Sequence, residues 1–302
     1  MKIVVAGGTG FLGAALVRAL SSDHDIVILS RRPSAPPAPR VTVMQWTPDG
    51  SPGLWTAALE DAGAVVNLAG ESIAARRWTA AQKMRILDSR LLATRNLAMA
   101  IARASHPPAV FISGSAVGYY GPLGDEIVTE DHSPGADFLA TVCVKWEAQA
   151  LAASSSRTRV VLVRTGIVLD RREGALPKML PPFWMGAGGP VGSGLQYWPW
   201  IHLEDWVALV RFALENASVS GPLNMSAPNP VRNRDFASVL GRVLHRPAFL
   251  TTPGFALKML LGEMAEGLLL SGQRAIPAKV EQLGFQFRYR DLEPALRAIF
   301  SQ

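Results

Sequence analysis

The segment Gly7-Gly8-Thr9-Gly10-Phe11-Leu12-Gly13 constrains this chain more than any other seven residues. It follows the apolar run Ile3-Val4-Val5-Ala6 and precedes a helical pattern carried by Leu16, Val17 and Leu20. A strand that turns on glycines into a helix is the setting of a dinucleotide-binding turn. Glycines serve there because the backbone must turn tightly and then approach a pyrophosphate with no Cβ in the way. Free N–H groups at the start of the helix then face the anion. Gly7, Gly10 and Gly13 are therefore candidate cofactor positions.

The next strand reads as Asp25-Ile26-Val27-Ile28-Leu29-Ser30, a β-branched run of the kind buried on both faces. Its end lies about 20 residues past the glycines, where an NAD site places an acid on the ribose 2′-hydroxyl. No Asp or Glu stands there; the chain reads Ser30-Arg31-Arg32. A hydroxyl and a guanidinium suit a 2′-phosphate, because arginine offers a planar donor fork and a permanent charge. The expected cofactor is NADP(H) rather than NAD(H). The alternative for Arg31 and Arg32 is a solvated loop position before Pro33.

Composition narrows the function classes. In 302 residues, 49% are apolar and 18% charged, which excludes wholesale disorder. The net charge of +6 favours a phosphorylated ligand. The Lys and Arg residues are scattered and no nucleic-acid motif occurs, so a nucleic-acid partner is not expected. The lone Cys143 excludes an internal disulfide framework and suits a reducing compartment. The chain enters its first strand at Met1-Lys2-Ile3, so no signal peptide is expected. The richest apolar stretch, Phe255 to Leu270, is broken by Lys258, Glu263 and Glu266, so no membrane span is expected. The expected setting is the cytoplasm, with a small molecule as partner; oligomeric state has no signature here.

Strand and helix patterns then alternate. Val41–Met44 follows a proline-rich loop over Pro33–Pro39, then Ala64–Leu68, a helix over about 80–103, Ala109–Ser113, a helix over 138–152, and Val160–Arg164. Repeated β-α-β units imply an α/β fold, a Rossmann-type doubly wound parallel sheet with helices on both faces. Ligands of such sheets lie beyond the carboxyl ends of the strands. After Gly166 the character changes. The glycine-rich Gly186–Gly194 follows a helical run rather than a strand, which argues for a flexible loop or lid over a second phosphate loop. A helix over about 204–215 and a strand near 223–226 return to the sheet, and the remainder is mainly helical. The chain thus divides into a cofactor-binding part, 1–166, and a smaller, mainly helical substrate-side part, 167–302.

The order Gly7-x-x-Gly10-x-x-Gly13, Asn67-Leu68-Ala69-Gly70-Glu71 and Ser113-Gly114-Ser115-Ala116-Val117-Gly118-Tyr119-Tyr120-Gly121 resembles an extended short-chain dehydrogenase/reductase. Arg77-Trp78, Asp88-Ser89-Arg90, Phe138-Leu139-Ala140, Lys145-Trp146-Glu147 and Gly189–Gly194 through Pro199-Trp200-Ile201-His202 narrow it. Together they are similar to the epimerase-like proteins of short-chain dehydrogenase/reductase family 39U, across essentially the whole chain. The resemblance implies an NADP(H) site and a small C-terminal domain of unknown function. It places Thr9, Gly10, Phe11 and Leu12 on the pyrophosphate and Ser30 and Arg31 on the 2′-phosphate. Leu68 and Ala69 would lie beside the adenosine half, Val168 at the nicotinamide end, with Arg85 and Arg90 as further NADP contacts. The alternative for both arginines is an ordinary exposed helix position.

The usual proton relay of these enzymes is absent. They pair a Tyr with a Lys one helical turn later, the Lys lowering the Tyr pKa. Counting back eight and four residues from Glu147 reaches Leu139 and Cys143, and none of the four tyrosines has a Lys four residues on. Ser115 still matches the serine of the trio, either to hold a substrate oxygen or to cap the turn. Tyr119 and Tyr120 are the candidates to replace the missing acid, with packing roles as the alternative. Cys143, flanked by Val142 and Val144, reads as a buried, inert thiol. His202 and Asp205 read as a structural corner, with Asp205 in the first turn of a helix. No residues have metal-ligand spacing. Two functions follow: an NADP(H)-dependent oxidoreductase or epimerase-like enzyme acting on a small polar or phosphorylated molecule, or an NADP(H)-binding sensor or interaction protein without redox turnover.

Overall fold

The computed structural model describes residues 1–32, 35–49, 51 and 53–301. Seven parallel strands form the central sheet among them: β1 Lys2–Ala6, β2 Asp25–Ser30, β3 Val41–Gln45, β4 Ala64–Asn67, β5 Val110–Ala116, β6 Arg159–Thr165 and β7 Gly221–Met225. Their order in space is β3-β2-β1-β4-β5-β6-β7. The chain therefore builds outward from β1 in one direction and then restarts at β4 in the other. The crevice at this reversal is where doubly wound sheets bind ligands.

The helices are α1 Phe11–Leu20, α2 Ala80–Arg103, α3 Phe138–Leu151, α4 Leu176–Trp184, α5 Leu203–Glu215, α6 Asn233–Leu244 and α7 Gly254–Leu261, before a C-terminal helix, Leu292–Phe300. Alternation along β1 explains the layers. Ile3 and Val5 face a core with Leu16, Leu20, Trp206 and Leu209 of α1 and α5. Val4 and Ala6 face a second core with Ala93, Leu97, Ile101 and Ala150 of α2 and α3. Both faces are covered, as an all-parallel sheet requires. No helix among the described residues is long and apolar enough to cross a membrane.

Local signals start the helices on which the site depends. Thr79 accepts a hydrogen bond from the Gln82 N–H to cap α2, and Asp137 accepts one from Ala140 at 2.7 Å to cap α3. β5 runs three residues beyond its expected end. Ser113 to Ala116 are small and turn-like in composition, yet they pair with β6 as far as Ala116 opposite Thr165. The neighbouring strand overrides the local preference. The strand expected near 223–226 is β7, which pairs with β6 from Gly221 opposite Val161 to Met225 opposite Thr165.

Beyond the sheet, α4, α6 and the C-terminal helix share a third core of Leu180, Phe183, Phe236, Leu240, Leu296 and Ile299 around Trp198 and Trp200. The glycine-rich segment expected as a flexible lid is instead laced to a distant stretch. Gly188 and Pro190 carbonyls accept from Leu250 and Thr252, Gly192 donates to Thr252, and Val191 donates to the Asn233 side chain. Of the expected proline-rich loop, Pro33 and Ser34 lie outside the described residues, and the rest is largely exposed.

Two glycines of the first turn are required by contact. Gly7 has φ +79°, and a Cβ on it would lie 2.7 Å from the Leu68 carbonyl carbon. A Cβ on Gly13 would lie 2.1 Å from the Gly7 carbonyl oxygen. A Gly13→Ala variant should therefore lose about 1–3 kcal/mol to overpacking, lowering its urea midpoint. Gly10→Ser, whose added carbon meets nothing nearer than 3.4 Å, should hold or raise it. Equal midpoints for the two variants would refute the packing account.

Candidate functional site

The glycine turn carries β1 into α1 at the crevice. Gly10 donates to the Gly7 carbonyl at 3.0 Å, and Thr9 and Gly10 are exposed. Gly10 caps α1 with no side-chain hydrogen bond, and no acid stands in the first turn. The N–H groups there are thus directed outward with nothing beside them to repel an anion. Gly7 lies against the Leu68 and Ala69 backbone, so the turn and the end of β4 form one wall. Leu68 donates to the Ala6 carbonyl, and Ala69 to the Asn67 side chain at 3.2 Å. The Phe11 ring extends across the crevice: a Cβ on Gly174 would sit 2.9 Å from it and 3.3 Å from the Val168 carbonyl oxygen. Val168 belongs to a short strand, Ile167–Leu169, paired with Trp200–His202. The structure thus brings Gly7, Phe11, Leu68, Ala69 and Val168 to one crevice.

At the end of β2, the Ser30 hydroxyl donates to the Arg32 carbonyl at 2.8 Å and accepts from the Arg32 N–H at 3.3 Å. That turn leaves Arg31 and Arg32 exposed, and neither joins an ion pair among the described residues. The two helix arginines separate. Arg90 is half-buried under the loop after β4, donating to the Glu71 and Ile86 carbonyls at 3.0 Å and lying over the Trp146 ring. Burial pushes its pKa down. Arg85 is exposed, its fork on the Gln82 side chain. Five residues put the two about 140° apart around a helix, so they do not share a face.

Beyond β5 the chain buries a charged network that sequence reasoning missed. The Ser115 hydroxyl donates to Glu147 of α3 at 2.6 Å. Arg164, near the end of β6, grips both oxygens of that carboxylate at 2.9 Å. Its remaining nitrogen reaches the Tyr120 hydroxyl and the Glu130 carbonyl, each at 3.0 Å. Tyr120 donates onward to Asn224 of β7 at 2.6 Å. The Tyr119 ring lies over the guanidinium at 3.5 Å, and is half-buried. Burial disfavours the Arg164 charge, but Glu147 and Tyr120 outweigh it and hold its pKa above the ordinary value. Burial pushes the Tyr120 phenol up to about 12, against the pull of Arg164. The two tyrosines thus serve as partners of Arg164, and Tyr120 has its hydroxyl engaged on both sides. The signal for this network was an arginine closing the apolar run Val160–Val163.

Where the usual Tyr and Lys would stand, Leu139 is half-buried beside Trp78, Phe138, Met264 and Leu268. Cys143 is buried against the Ala116 carbonyl, and burial with the nearby Glu147 charge pushes its pKa to about 12. An apolar surface replaces a proton relay. His202 caps α5 by accepting from Glu204, and Asp205 accepts from the Arg288 and Tyr289 N–H groups, so both are structural. No group of three potential metal ligands occurs among the described residues.

The model of the NAD dependent epimerase/dehydratase family matches residues 3–225, and that of a domain of unknown function, DUF1731, matches residues 252–299. The chain is 42% identical over 295 residues to an epimerase family protein of Mycobacterium leprae (strain TN), covering 97% of this chain and 94% of that protein. It is 40% identical over 303 residues to the epimerase family protein YfhF of Bacillus subtilis (strain 168), covering 100% and 98%. A crystal structure of human epimerase family protein SDR39U1 (isoform 2) with NADPH matches with a TM-score of 0.91 at 37% identity, covering 100% of this chain and 99% of that one.

The buried pair makes its own prediction. Glu147→Leu strands the Arg164 charge and should cost about 3–5 kcal/mol of unfolding free energy in urea. The double variant Glu147→Leu/Arg164→Met should recover much of it. A single variant within 1 kcal/mol of the parent, on the order of a surface change, would show that Arg164 is not held by this pair.

Proposed function

The chain belongs to the NAD dependent epimerase/dehydratase family, and from that premise we propose that it binds NADPH along the crevice between β1 and β4. We further propose that it exchanges hydride with a small polar or phosphorylated molecule held between Ser115 and the C-terminal part. The observation that carries the cofactor reading is Arg31, exposed at the end of β2 with no acid at that strand end. The close contact of Gly7 with Leu68, which leaves the turn without side-chain bulk, supports the same reading. The human relative crystallised with NADPH supports it too.

In this reading, the N–H groups at the start of α1 take the pyrophosphate, flanked by Thr9 and Phe11. Arg31, with Ser30 shaping the turn and Arg32 beside it, takes the 2′-phosphate. Leu68 and Ala69 lie along the adenosine half and Val168 toward the nicotinamide. Arg90 supports the Gly70–Glu71 backbone of that wall. A nicotinamide, when bound, supplies the hydride donor or acceptor. Ser115, whose hydroxyl donates a hydrogen bond to Glu147, keeps lone pairs with which to accept from a substrate hydroxyl. Arg164 grips both oxygens of the Glu147 carboxylate and thereby holds in place the acceptor of the Ser115 hydrogen bond.

A second reading draws on Leu139 and Cys143, which leave α3 without its usual acid. It is an NADPH-binding sensor that performs no turnover. Transfer of label from the 4-position of NADPH to pooled metabolites separates the two. Turnover that disappears in Ser115→Ala supports the enzyme; tight binding with no hydride loss supports the sensor.

Calorimetric titration tests the cofactor. Arg31→Ala should weaken NADPH by about 10- to 100-fold, the value of a lost charge-assisted hydrogen bond, and leave NADH nearly unchanged. Equal losses for both nucleotides would overturn the 2′-phosphate assignment. No heat with either nucleotide in the parent protein would overturn the cofactor reading.

A further inference from the structure

We propose that Arg274 and Arg232, gathered on the ring of Tyr197, form a subsite for an anionic group, phosphate or carboxylate, on the molecule taken up beside the cofactor. This deepens the reading above and rests on it for the identity of the neighbouring site. Three distant segments meet here. Tyr197-Trp198 pairs antiparallel with Val231-Arg232, which sets Arg232 opposite Tyr197. Gly272 approaches the Tyr197 backbone so closely that a Cβ would lie 2.0 Å from its carbonyl oxygen. The strand Arg274-Ala275, which follows at once, pairs with Ile127-Val128. The guanidinium carbons of Arg232 and Arg274 lie 5.2 and 5.4 Å from the Tyr197 ring centroid.

The charge balance on this ring favours an anion, because two guanidinium groups meet one carboxylate. Asp125, itself 71% exposed, pairs with Arg232 at 2.5 Å. Arg274 has no ion-pair partner among the described residues. Its Nε is buried without a hydrogen-bond partner, and its guanidinium lies over the Tyr197 face. A guanidinium stays charged and carries five donors, so a half-buried one without an acceptor is costly to the fold unless a ligand completes it. The ring holds it in place in the meantime. The planar fork matches a phosphate or a carboxylate with two parallel hydrogen bonds.

The location fits a substrate rather than a remote ion. Gln273 donates to the Val117 carbonyl at 2.6 Å, two residues beyond Ser115, and Leu123 donates to the Gly272 carbonyl at 2.9 Å. Arg274 therefore adjoins the loop that leaves β5 at the carboxyl end of the sheet. The cofactor assigned above places its phosphates at the α1 and β2 ends, so this pair of arginines is not needed for them.

The test uses the full chain saturated with NADPH, so that the cofactor's own phosphate positions are filled. Sodium pyrophosphate, inorganic phosphate and malonate are titrated by calorimetry at constant ionic strength, with chloride as reference. At least one probe is expected to bind. Arg274→Gln and Arg232→Gln should each weaken it tenfold or more, and Arg274→Lys should weaken it less than Arg274→Gln. Arg103→Gln, an exposed residue of α2, should leave it unchanged. A preference for pyrophosphate assigns the anion as phosphate, and a preference for malonate assigns it as carboxylate. No heat above chloride, or Arg274→Gln binding as tightly as the parent, overturns the proposal. Loss of NADPH binding with an Arg274-dependent pyrophosphate response retained would overturn the cofactor reading and leave the subsite standing.

Discussion

Arg164 is only 3% exposed, and a guanidinium in that position must find acceptors for its donors or destabilise the fold by several kcal/mol. It finds them on Glu147, on Tyr120 and on the Glu130 carbonyl. Each of those groups is tied further. Glu147 holds Ser115, Tyr120 holds Asn224, and the Glu130 side chain accepts from the Asn224 and Lys279 N–H groups. One charge thus fixes β5, α3, β6 and β7 relative to one another. Any change that moves one of these elements must leave part of the network unsatisfied.

The opposite half of the sheet is set by close backbone approach instead. Gly7 meets β4, and Gly13 meets Gly7, with no room for a side chain at either place. The crevice between the two halves therefore has one wall positioned by steric contact and another by buried electrostatics. Ser115 belongs to the second wall, and its proton is already directed at Glu147. Trp78, Phe138 and Leu139 form an apolar cluster at the start of α3.

Features with local rules were legible in the residue order. The glycine turn and the acid-free end of β2 depend on neighbours a few positions away, and the alternating strands and helices depend on periodicity. The structure has seven parallel strands where that pattern led one to expect a doubly wound sheet. Features created by distant contact were not legible. Glu147 and Arg164 lie 17 residues apart in two elements, and nothing in either segment alone names the other. The Gly186–Gly194 segment has a flexible composition, yet its backbone is satisfied by residues 250–252 and by Asn233. Tyr197, Arg232 and Arg274 are brought together only by the folding of the second half. Gly114 to Ala116 look like a loop until β6 pairs with them.

The position of β7 has a consequence for how the chain matures during synthesis. β6 is complete at residue 165, but the strand that covers its outer edge is Gly221–Met225. A growing polypeptide therefore presents the bare hydrogen-bonding groups of β6 for at least 56 further residues. A naked strand edge is a template for pairing with other chains. Nascent or truncated products that stop inside this interval are the species for which chaperone protection matters, and arrival of Met225 closes that window of risk.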